Sequence, residues 1–101
     1  MAANLDRAFA RGDAIIVATD TLAMACLARL KSNGVAVPHD MRVIGFNDLP
    51  LASQTTPPLS AVRQGIRADA FVMVDLLTRR LSGEDTESIV MPPQLVARET
   101  A

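Results

Sequence analysis

The sequence has little of what marks a disulfide-bonded, aromatic-rich or membrane-spanning protein. Its 101 residues contain one cysteine, Cys26, three phenylalanines and no tryptophan or tyrosine. One cysteine excludes an intrachain disulfide, and no apolar run reaches the roughly 18 residues of a membrane span. The N-terminal segment lacks the long apolar core of a secretory signal. We therefore expect a cytoplasmic protein with no membrane partner.

Clustered positive charge is also absent. Ten Lys and Arg residues stand against eleven Asp and Glu, the formal net charge is −1, and only Arg79 and Arg80 are adjacent basic residues. Nucleic-acid-binding domains usually carry a basic patch on one face. We predict that this chain does not bind DNA by itself. Half of its residues are hydrophobic, which argues against disorder.

The sequence offers no recognisable catalytic or metal-binding pattern. His39, the sole histidine, and Cys26 fall in separate predicted elements, so they form neither a catalytic pair nor a metal site. No glycine-rich phosphate loop is present. Asp20 and Asp48 can meet at one edge of a sheet, but nothing supplies a nucleophile. We predict no enzyme activity, no catalytic residue, no metal and no cofactor.

The first half of the chain alternates between strand and helix patterns. Residues 14–18 form a continuous apolar run, which is typical of a parallel strand buried on both faces. Thr19, Asp20 or Thr21 can cap a helix that runs to about residues 32–33 and stops at Gly34. Before that strand, the helical spacing of three apolar residues and a glycine stop predict the end of another helix: Leu5, Ala8, Phe9 and Gly12.

The second half continues this alternation. Residues 42–46 and 59–62 are predicted strands, and the prolines between them predict a loop without regular structure over residues 49–58. An apolar stripe at helical spacing predicts a helix from Ile66 to Leu81, and Gly83 ends it. Residues 88–100 are predicted to be extended, at a sheet edge, and interrupted by two prolines.

This order predicts an α/β fold with parallel βαβ units in layers. Because βαβ crossovers are right-handed, the carboxyl ends of the first two strands lie on the same side of the sheet. Residues 19–20 follow the first strand and residues 47–48 the second. Residues 63–64 join them if the third strand is parallel. We predict that these three polar pairs converge at one rim, where open α/β sheets bind small ligands.

Four segments, in this order, resemble the LacI/GalR family of bacterial transcription regulators. Residues 18–23 are similar to the family's Ala-Asn-Asp-x-x-Ala, with Thr19 in place of Asn. Residues 37–48 match its Val-Pro-x-Asp motif and the following Gly-aromatic-Asp, with Asn47 in place of the more common Asp. Residues 56–64 and 92–100 also fit. One such segment is a weak signal, whereas four at the family's spacing are a strong one.

The resemblance implies a type I periplasmic-binding-protein-like fold of two α/β subdomains, with an effector in the cleft between them. Residues 1–101 match an incomplete three-layer C-terminal subdomain of the effector-binding and dimerisation domain. The helix-turn-helix, its hinge and most of the N-terminal subdomain are absent from the sequence. We expect the intact regulator to contact DNA only through that absent N-terminal domain.

The resemblance also implies which rim residues contact the effector. Asn47 lies where family members hydrogen-bond sugar or purine groups, and the alternative is an Asx turn that stabilises the loop. Thr19 lies where the family has a ligand-contacting Asn, and the alternative is a helix cap. Asp20 and Asp48 complete the predicted effector site. The favoured interpretation of Asp48 is nevertheless structural, and Asp20 is chiefly a helix cap or a first-turn acid that the helix dipole stabilises.

Two arginines near the rim have simpler interpretations. Arg63 either holds the loop, contacts the partner half or forms a surface ion pair. Arg98 is most simply a solvated or inter-strand residue.

Residues 22–28 are apolar around the whole helix circumference, which predicts a second packing partner besides the sheet. The resemblance places a subunit interface here, and packing within the missing half of the same subunit is the alternative. In a twofold dimer this patch meets its own copy. The predicted interface residues lie on the helix and in the later loop: Leu22, Met24, Ala25, Leu27, Ala28, Gln54 and Thr55.

These inferences predict the effector-binding and dimerisation part of a LacI-type repressor, with a sugar or nucleoside-like effector and a homodimer. Three alternatives remain from other classes. One is half of a periplasmic sugar-binding transport protein, and another is a standalone oligomerisation module. The third is an α/β enzyme, which is disfavoured because the sequence offers no nucleophile–base pair.

Overall fold

The computed structural model describes residues 12–101 and, before them, Arg7. The predicted helical spacing of Leu5, Ala8 and Phe9 lies outside the described residues. The chain forms two compact units. The first extends to Arg63 and includes residues 95–101, and the second spans residues 64–94.

A four-stranded sheet in the order β1-β2-β3-β4 organises the first unit. Strand β1 (Ala14–Ile16) pairs in parallel with β2 (Arg42–Phe46), and β2 pairs in parallel with β3 (Ser60–Arg63). Strand β4 (Gln94–Val96) lies at the edge beside β3. The predicted α/β order, the parallel third strand and the edge position of the last strand are confirmed. The predicted burial of the first strand on both faces is wrong. Ile15 packs against the core, whereas its neighbour Ile16, on the opposite face of the strand, is 73% exposed.

Helix α1 (Asp20–Ser32) connects β1 to β2, and its ends follow from two residues. Thr19 Oγ1 accepts a hydrogen bond from the backbone N–H of Leu22 at 3.1 Å, which caps the N-terminus. Gly34, with a φ of 74°, follows the last turn in the left-handed region that glycine adopts without strain. The predicted cap and stop are therefore confirmed.

One face of α1 packs on the sheet and forms the hydrophobic core. Burying a large aliphatic side chain contributes roughly 1.5–3 kcal/mol, so this layer fixes the strands against the helix. The core consists of apolar residues from α1, the strands and the loops: Val17, Ala23, Cys26, Leu27, Leu30, Met41, Val43, Ala52 and Leu59.

The contact between α1 and β2 is closest at Gly45. A Cβ atom there would overlap the Asp20 carboxylate and lie 2.9 Å from Leu59 Cδ2. No larger residue fits without displacing one of these side chains. Gly45 thus allows the first turn of α1 to sit directly on the end of β2.

The loop between β2 and β3 differs from the prediction. A 3-10 helix spans Pro50–Gln54, where no regular structure was expected. Pro50 occupies the first turn, where its missing N–H has no helical partner in any case. Buried Ala52 anchors this turn: its N–H donates to Leu49 O, and its carbonyl accepts from Leu59 N, both at 2.8 Å.

The C-terminal residues are hydrogen-bonded to the sheet through Thr100, which is fully buried. Its hydroxyl accepts from Ser60 N at 2.8 Å and donates to Val43 O at 2.6 Å. Its carbonyl accepts from Val43 N at 2.8 Å. Thr100 therefore ties together the start of β3 and the middle of the sheet.

The second unit contains helix α2 (Ile66–Leu81), whose bounds match the prediction, with Gly83 at a φ of 89° just after it. Arg79 pairs with Glu84 at 2.8 Å beyond the last turn. The apolar stripe of α2 is exposed: Ile66, Phe71, Met73, Val74, Leu77 and Leu81. No helix in the described part of the chain is long and apolar enough to cross a membrane.

Candidate functional site

The carboxyl ends of β1, β2 and β3 form the rim of the sheet in the first unit. The parallel ladders continue past the strands: Val17 N donates to Ile44 O at 2.8 Å, and Asn47 N donates to Val62 O at 2.9 Å. The residues that follow β1 and β2 therefore emerge beside the end of β3. Gln64, predicted to join this rim, belongs to the second unit.

The Asn47 side chain lies at the rim without a hydrogen bond to any other described residue. Its φ of 100° is unusual for a residue with a side chain. Its side chain is half-buried and makes no hydrogen bond to another described residue, so the predicted alternative, a side-chain-bonded Asx turn, is not formed. The carboxamide keeps both donor and acceptor capacity, which suits a hydroxyl ligand in either sense.

Asp48 is held much more tightly. Oδ1 lies 2.7 Å from Arg98 Nη1, and Oδ2 lies 2.7 Å from Arg63 Nη2 and 2.8 Å from Arg63 Nε. The Asp48 side chain is 4% exposed, against 18% for Arg98 and 50% for Arg63. Both carboxylate oxygens are therefore occupied by protein, which makes Asp48 a scaffold for the loop.

The same contacts determine the protonation of Asp48. Hydrogen bonding from Arg98 holds the pKa of the carboxyl below its ordinary value of 3.8. Desolvation opposes this effect, and the hydrogen bond from Arg63 and the positive charges of both arginines reinforce it. Asp48 is consequently an anion at neutral pH, and the network remains charged.

Asp20 is fully buried in the first turn of α1. Its Oδ2 accepts a hydrogen bond from Leu49 N at 2.5 Å, which ties α1 to the loop after β2. Its Oδ1 has no hydrogen-bond partner among the described residues and lies against Gly45. Its geometry is that of a group that positions the loop rather than one that faces solvent.

Thr19 is exposed at the same rim. Its oxygen accepts the capping hydrogen bond from Leu22 N, so one lone pair is used within the helix. The hydroxyl hydrogen remains available, since it is not needed for the cap. Capping and ligand contact are therefore compatible at this residue.

Arg98 has a role that the sequence analysis did not assign to it. It is mostly buried and is therefore not the solvated residue of one predicted alternative, whereas its bonds to other elements fit the inter-strand alternative. Besides Asp48, its Nη1 donates to Leu59 O at 2.7 Å, and its backbone N–H donates to Ser60 Oγ at 2.7 Å. One feature of the sequence could have indicated these ion pairs. A single carboxylate follows a predicted strand, and arginines lie at the ends of other strands. Arg63 does form the ion pair that was one of its predicted alternatives.

The predicted subunit-interface residues lie on a second surface of the first unit. Met24, Leu27, Ala28 and Thr55 line a hollow of about 250 Å³, together with Lys31 and Thr56. Leu22 and Met24 are half-buried and Ala25, Ala28 and Gln54 exposed, whereas Leu27 belongs to the core. Helix α1 and the loop after the 3-10 helix thus share one surface.

Cys26 and the acidic residues offer no further chemistry. Burial raises the pKa of the Cys26 thiol, and a buried neutral thiol is unreactive. Within residues 12–101 no group of His, Cys, Asp and Glu is arranged to hold a metal ion.

The fold and the polar rim are those of an open parallel α/β domain. The whole chain, residues 1–101, matches the family described as periplasmic binding protein-like domain. The chain belongs to that family and, within it, to the LacI/GalR-type transcription regulators. It is 37% identical to the lactose operon repressor of Rhizobium radiobacter, over 90% of this chain and 81% of that protein.

Two solved structures are similar over most of this chain. The transcriptional regulator CelR–cellobiose complex has a TM-score of 0.81 at 35% identity, covering 96% of this chain and 30% of that one. The lac repressor dimer bound to operator and the anti-inducer ONPF has a TM-score of 0.81 at 29% identity, covering 87% and 31%. The chain therefore spans less than a third of these solved regulators. The relatives named here are regulators rather than enzymes.

Proposed function

We propose that this chain is the C-terminal subdomain of the effector-binding and dimerisation domain of a LacI-type repressor. It supplies one wall of the effector cleft and one half of a twofold interface. We expect the repressor to act in the cytoplasm and to have no enzymatic role. The observation that carries the proposal is the Asn47 carboxamide, which makes no hydrogen bond to another described residue although the adjacent Asp48 carboxylate is held through both oxygens.

The effector is a small polar metabolite, a sugar or a nucleoside-like molecule. Asn47 donates to and accepts from its hydroxyl groups, and the Thr19 hydroxyl donates a second hydrogen bond. Asp20 and Asp48 act at the same site by holding the loop, since Asp20 Oδ2 and both Asp48 oxygens already have protein partners. Cellobiose in the CelR complex supports a sugar as the first ligand class to test.

The interface is formed by the outer face of α1 and the loop at residues 54–55. Two copies related by a twofold axis bring this surface against itself. Effector binding favours one closure of the cleft by its differential affinity for the two states. The interface passes the change to the DNA-binding domains, which read two half-sites of an operator. The lac repressor dimer on its operator supports this arrangement.

A regulator is favoured over the alternative of a transport protein because the relatives named above are repressors and regulators. A standalone oligomerisation module is also disfavoured, since such a module does not need an unpaired carboxamide on a ligand rim.

Ligand-detected NMR with a panel of cellobiose, lactose, sucrose and adenosine tests the proposal. One wall of a cleft should give weak binding, with a dissociation constant of about 1 mM, or −4 kcal/mol. Asn47→Ala should lose the saturation-transfer signal, and Gln54→Ala, at the other surface, should keep it. An equal signal from Asn47→Ala, or no signal from any probe, would refute the effector role.

A further inference from the structure

Two consecutive residues after β2 adopt left-handed backbone conformations. Asn47 has a φ of 100° and Asp48 a φ of 56°, and neither is glycine. Residues with side chains are disfavoured there, and they persist only where surrounding groups hold them. The loop therefore needs external restraints to present Asn47 in this way.

Three sets of bonds supply the restraints. Asn47 N is held by Val62 O, and Leu49 N is held by the Asp20 carboxylate. Between them, the Asp48 side chain is held by Arg63 and Arg98. Every restraint reaches the loop from another element, and the Asn47 carboxamide is left unbound.

The two arginines differ in how they are themselves held. The Arg98 side chain is mostly buried, and its guanidinium has one anchor besides Asp48, at Leu59 O. Its backbone is held as well, because the N–H donates to the hydroxyl of buried Ser60. Arg63 is half exposed, and Asp48 is the partner that its side chain contacts. A group fixed independently of the loop can orient the loop, whereas a group fixed only by the loop follows it.

We infer that Arg98 is the positioning residue of the effector site, acting through Asp48 to hold the left-handed loop that presents the Asn47 carboxamide. Arg98 does not contact the effector. The effect on ligand affinity rests on the proposed function, whereas the effect on the loop does not. Arg63 closes the same carboxylate from the solvent side and has the smaller influence on Asn47.

The two arginines give a matched pair of variants, Arg98→Gln and Arg63→Gln, each of which removes one guanidinium from the same carboxylate. The backbone and side-chain NH signals of residues 47–49 are compared with the wild type by ¹⁵N NMR without ligand. We expect them to shift and broaden in Arg98→Gln and to stay near wild-type positions in Arg63→Gln. Unchanged Asn47 signals in Arg98→Gln, or equal changes in both variants, would overturn the inference.

The same spectra distinguish positioning of the loop from a purely structural role of Arg98. A general loss of stability would move signals throughout the first unit, whereas loss of positioning moves those of the loop. If Arg98→Gln does not fold, Arg98→Lys replaces it. This variant keeps the charge but not the planar fork that reaches Asp48 and Leu59 together. Displaced Asn47 signals in a folded Arg98→Lys support positioning, and wild-type signals contradict it.

Cellobiose titration adds the ligand readout. The dissociation constant for cellobiose should rise about tenfold in Arg98→Gln, because a misplaced loop weakens the hydrogen bond from the Asn47 carboxamide to the ligand. In Arg63→Gln it should rise by at most about twofold. If cellobiose does not bind the wild-type chain, the choice of ligand fails, and the ligand-free spectra still decide whether Arg98 positions the loop. Equal losses of affinity in both variants would contradict the inference.

Discussion

Two surfaces of the first unit are built in opposite ways. The loop at residues 47–49 is fixed by one backbone hydrogen bond from β3 and by bonds to two carboxylates, whose partners come from α1, β3 and the C-terminal residues. Among the described residues, the Asn47 carboxamide has no partner. The outer face of α1 is an apolar hollow around Met24 and Ala28. A ligand site requires hydrogen-bonding groups that are held in a fixed direction, whereas a subunit contact requires apolar surface area. The difference between the two surfaces therefore matches their two proposed roles.

The largest expected effect comes from removing the centre of the charged network. Asp48→Ala leaves Arg98, which is mostly buried, without its carboxylate, and we expect a loss of about 3 kcal/mol in the free energy of unfolding. Urea denaturation of wild type and variant measures it. Asp85→Ala, in the exposed turn after α2, is the control and should change little. A loss in Asp48→Ala no greater than in the control would mean that the rim is not held by charge.

The same network predicts an acid limit to stability. The folded-state pKa of Asp48 is depressed, so its contribution is fully present above the unfolded-state value and is lost as the pH falls through the folded-state pKa. In Asp48→Asn this part of the acid-induced decline should disappear. Urea midpoints measured from pH 6 downward provide the test. If the urea midpoints of wild type and Asp48→Asn fall in parallel as the pH decreases, Asp48 does not cause the acid-induced loss of stability.

A smaller effect is expected at the N-terminus of α1. Thr19→Ala removes the acceptor for Leu22 N and should lower the unfolding free energy by about 1 kcal/mol. Thr19→Ser keeps the acceptor and should remain within a few tenths of a kcal/mol of wild type. If both variants lose the same amount, the hydroxyl does not cap the helix, and Thr19 is better regarded as a ligand contact alone.

The smallest effect on stability is expected on the apolar surface. Met24→Arg should change the unfolding free energy by no more than about 0.5 kcal/mol, because Met24 lies at the surface of α1. Its effect should be on association: in sedimentation velocity we expect the dimer of the wild type to dissociate. Met91→Arg makes the same substitution in the second unit and should leave the dimer intact. A dimer that survives Met24→Arg would place the interface elsewhere.

Much of the framework was predictable because it depends on local pattern. The Thr19 cap, the Gly34 and Gly83 stops and the bounds of α2 follow from neighbouring residues. The convergence of the strand ends followed from the handedness of βαβ units. These rules concern short segments or topology, and the structure agrees with them.

The support beneath the rim was not predictable. The Asp48–Arg98 bond joins residues fifty positions apart, and nothing local to residues 95–98 marks Arg98 as mostly buried. The positive φ of Asn47 is also not marked by any adjacent glycine or turn motif. The 3-10 helix at Pro50 was also missed, because proline at a helix start is compatible with the turn that it otherwise interrupts.

The most direct measurement is the ¹H–¹⁵N signal of the Asn47 side-chain amide during titration with cellobiose. If Asn47 contacts the effector, its two NH₂ resonances should move with saturating ligand and show the largest shift in the first unit, while the amide of Gln54 stays fixed. Movement of other signals with the Asn47 amide unchanged would show that the effector binds away from this rim and would contradict the proposed site.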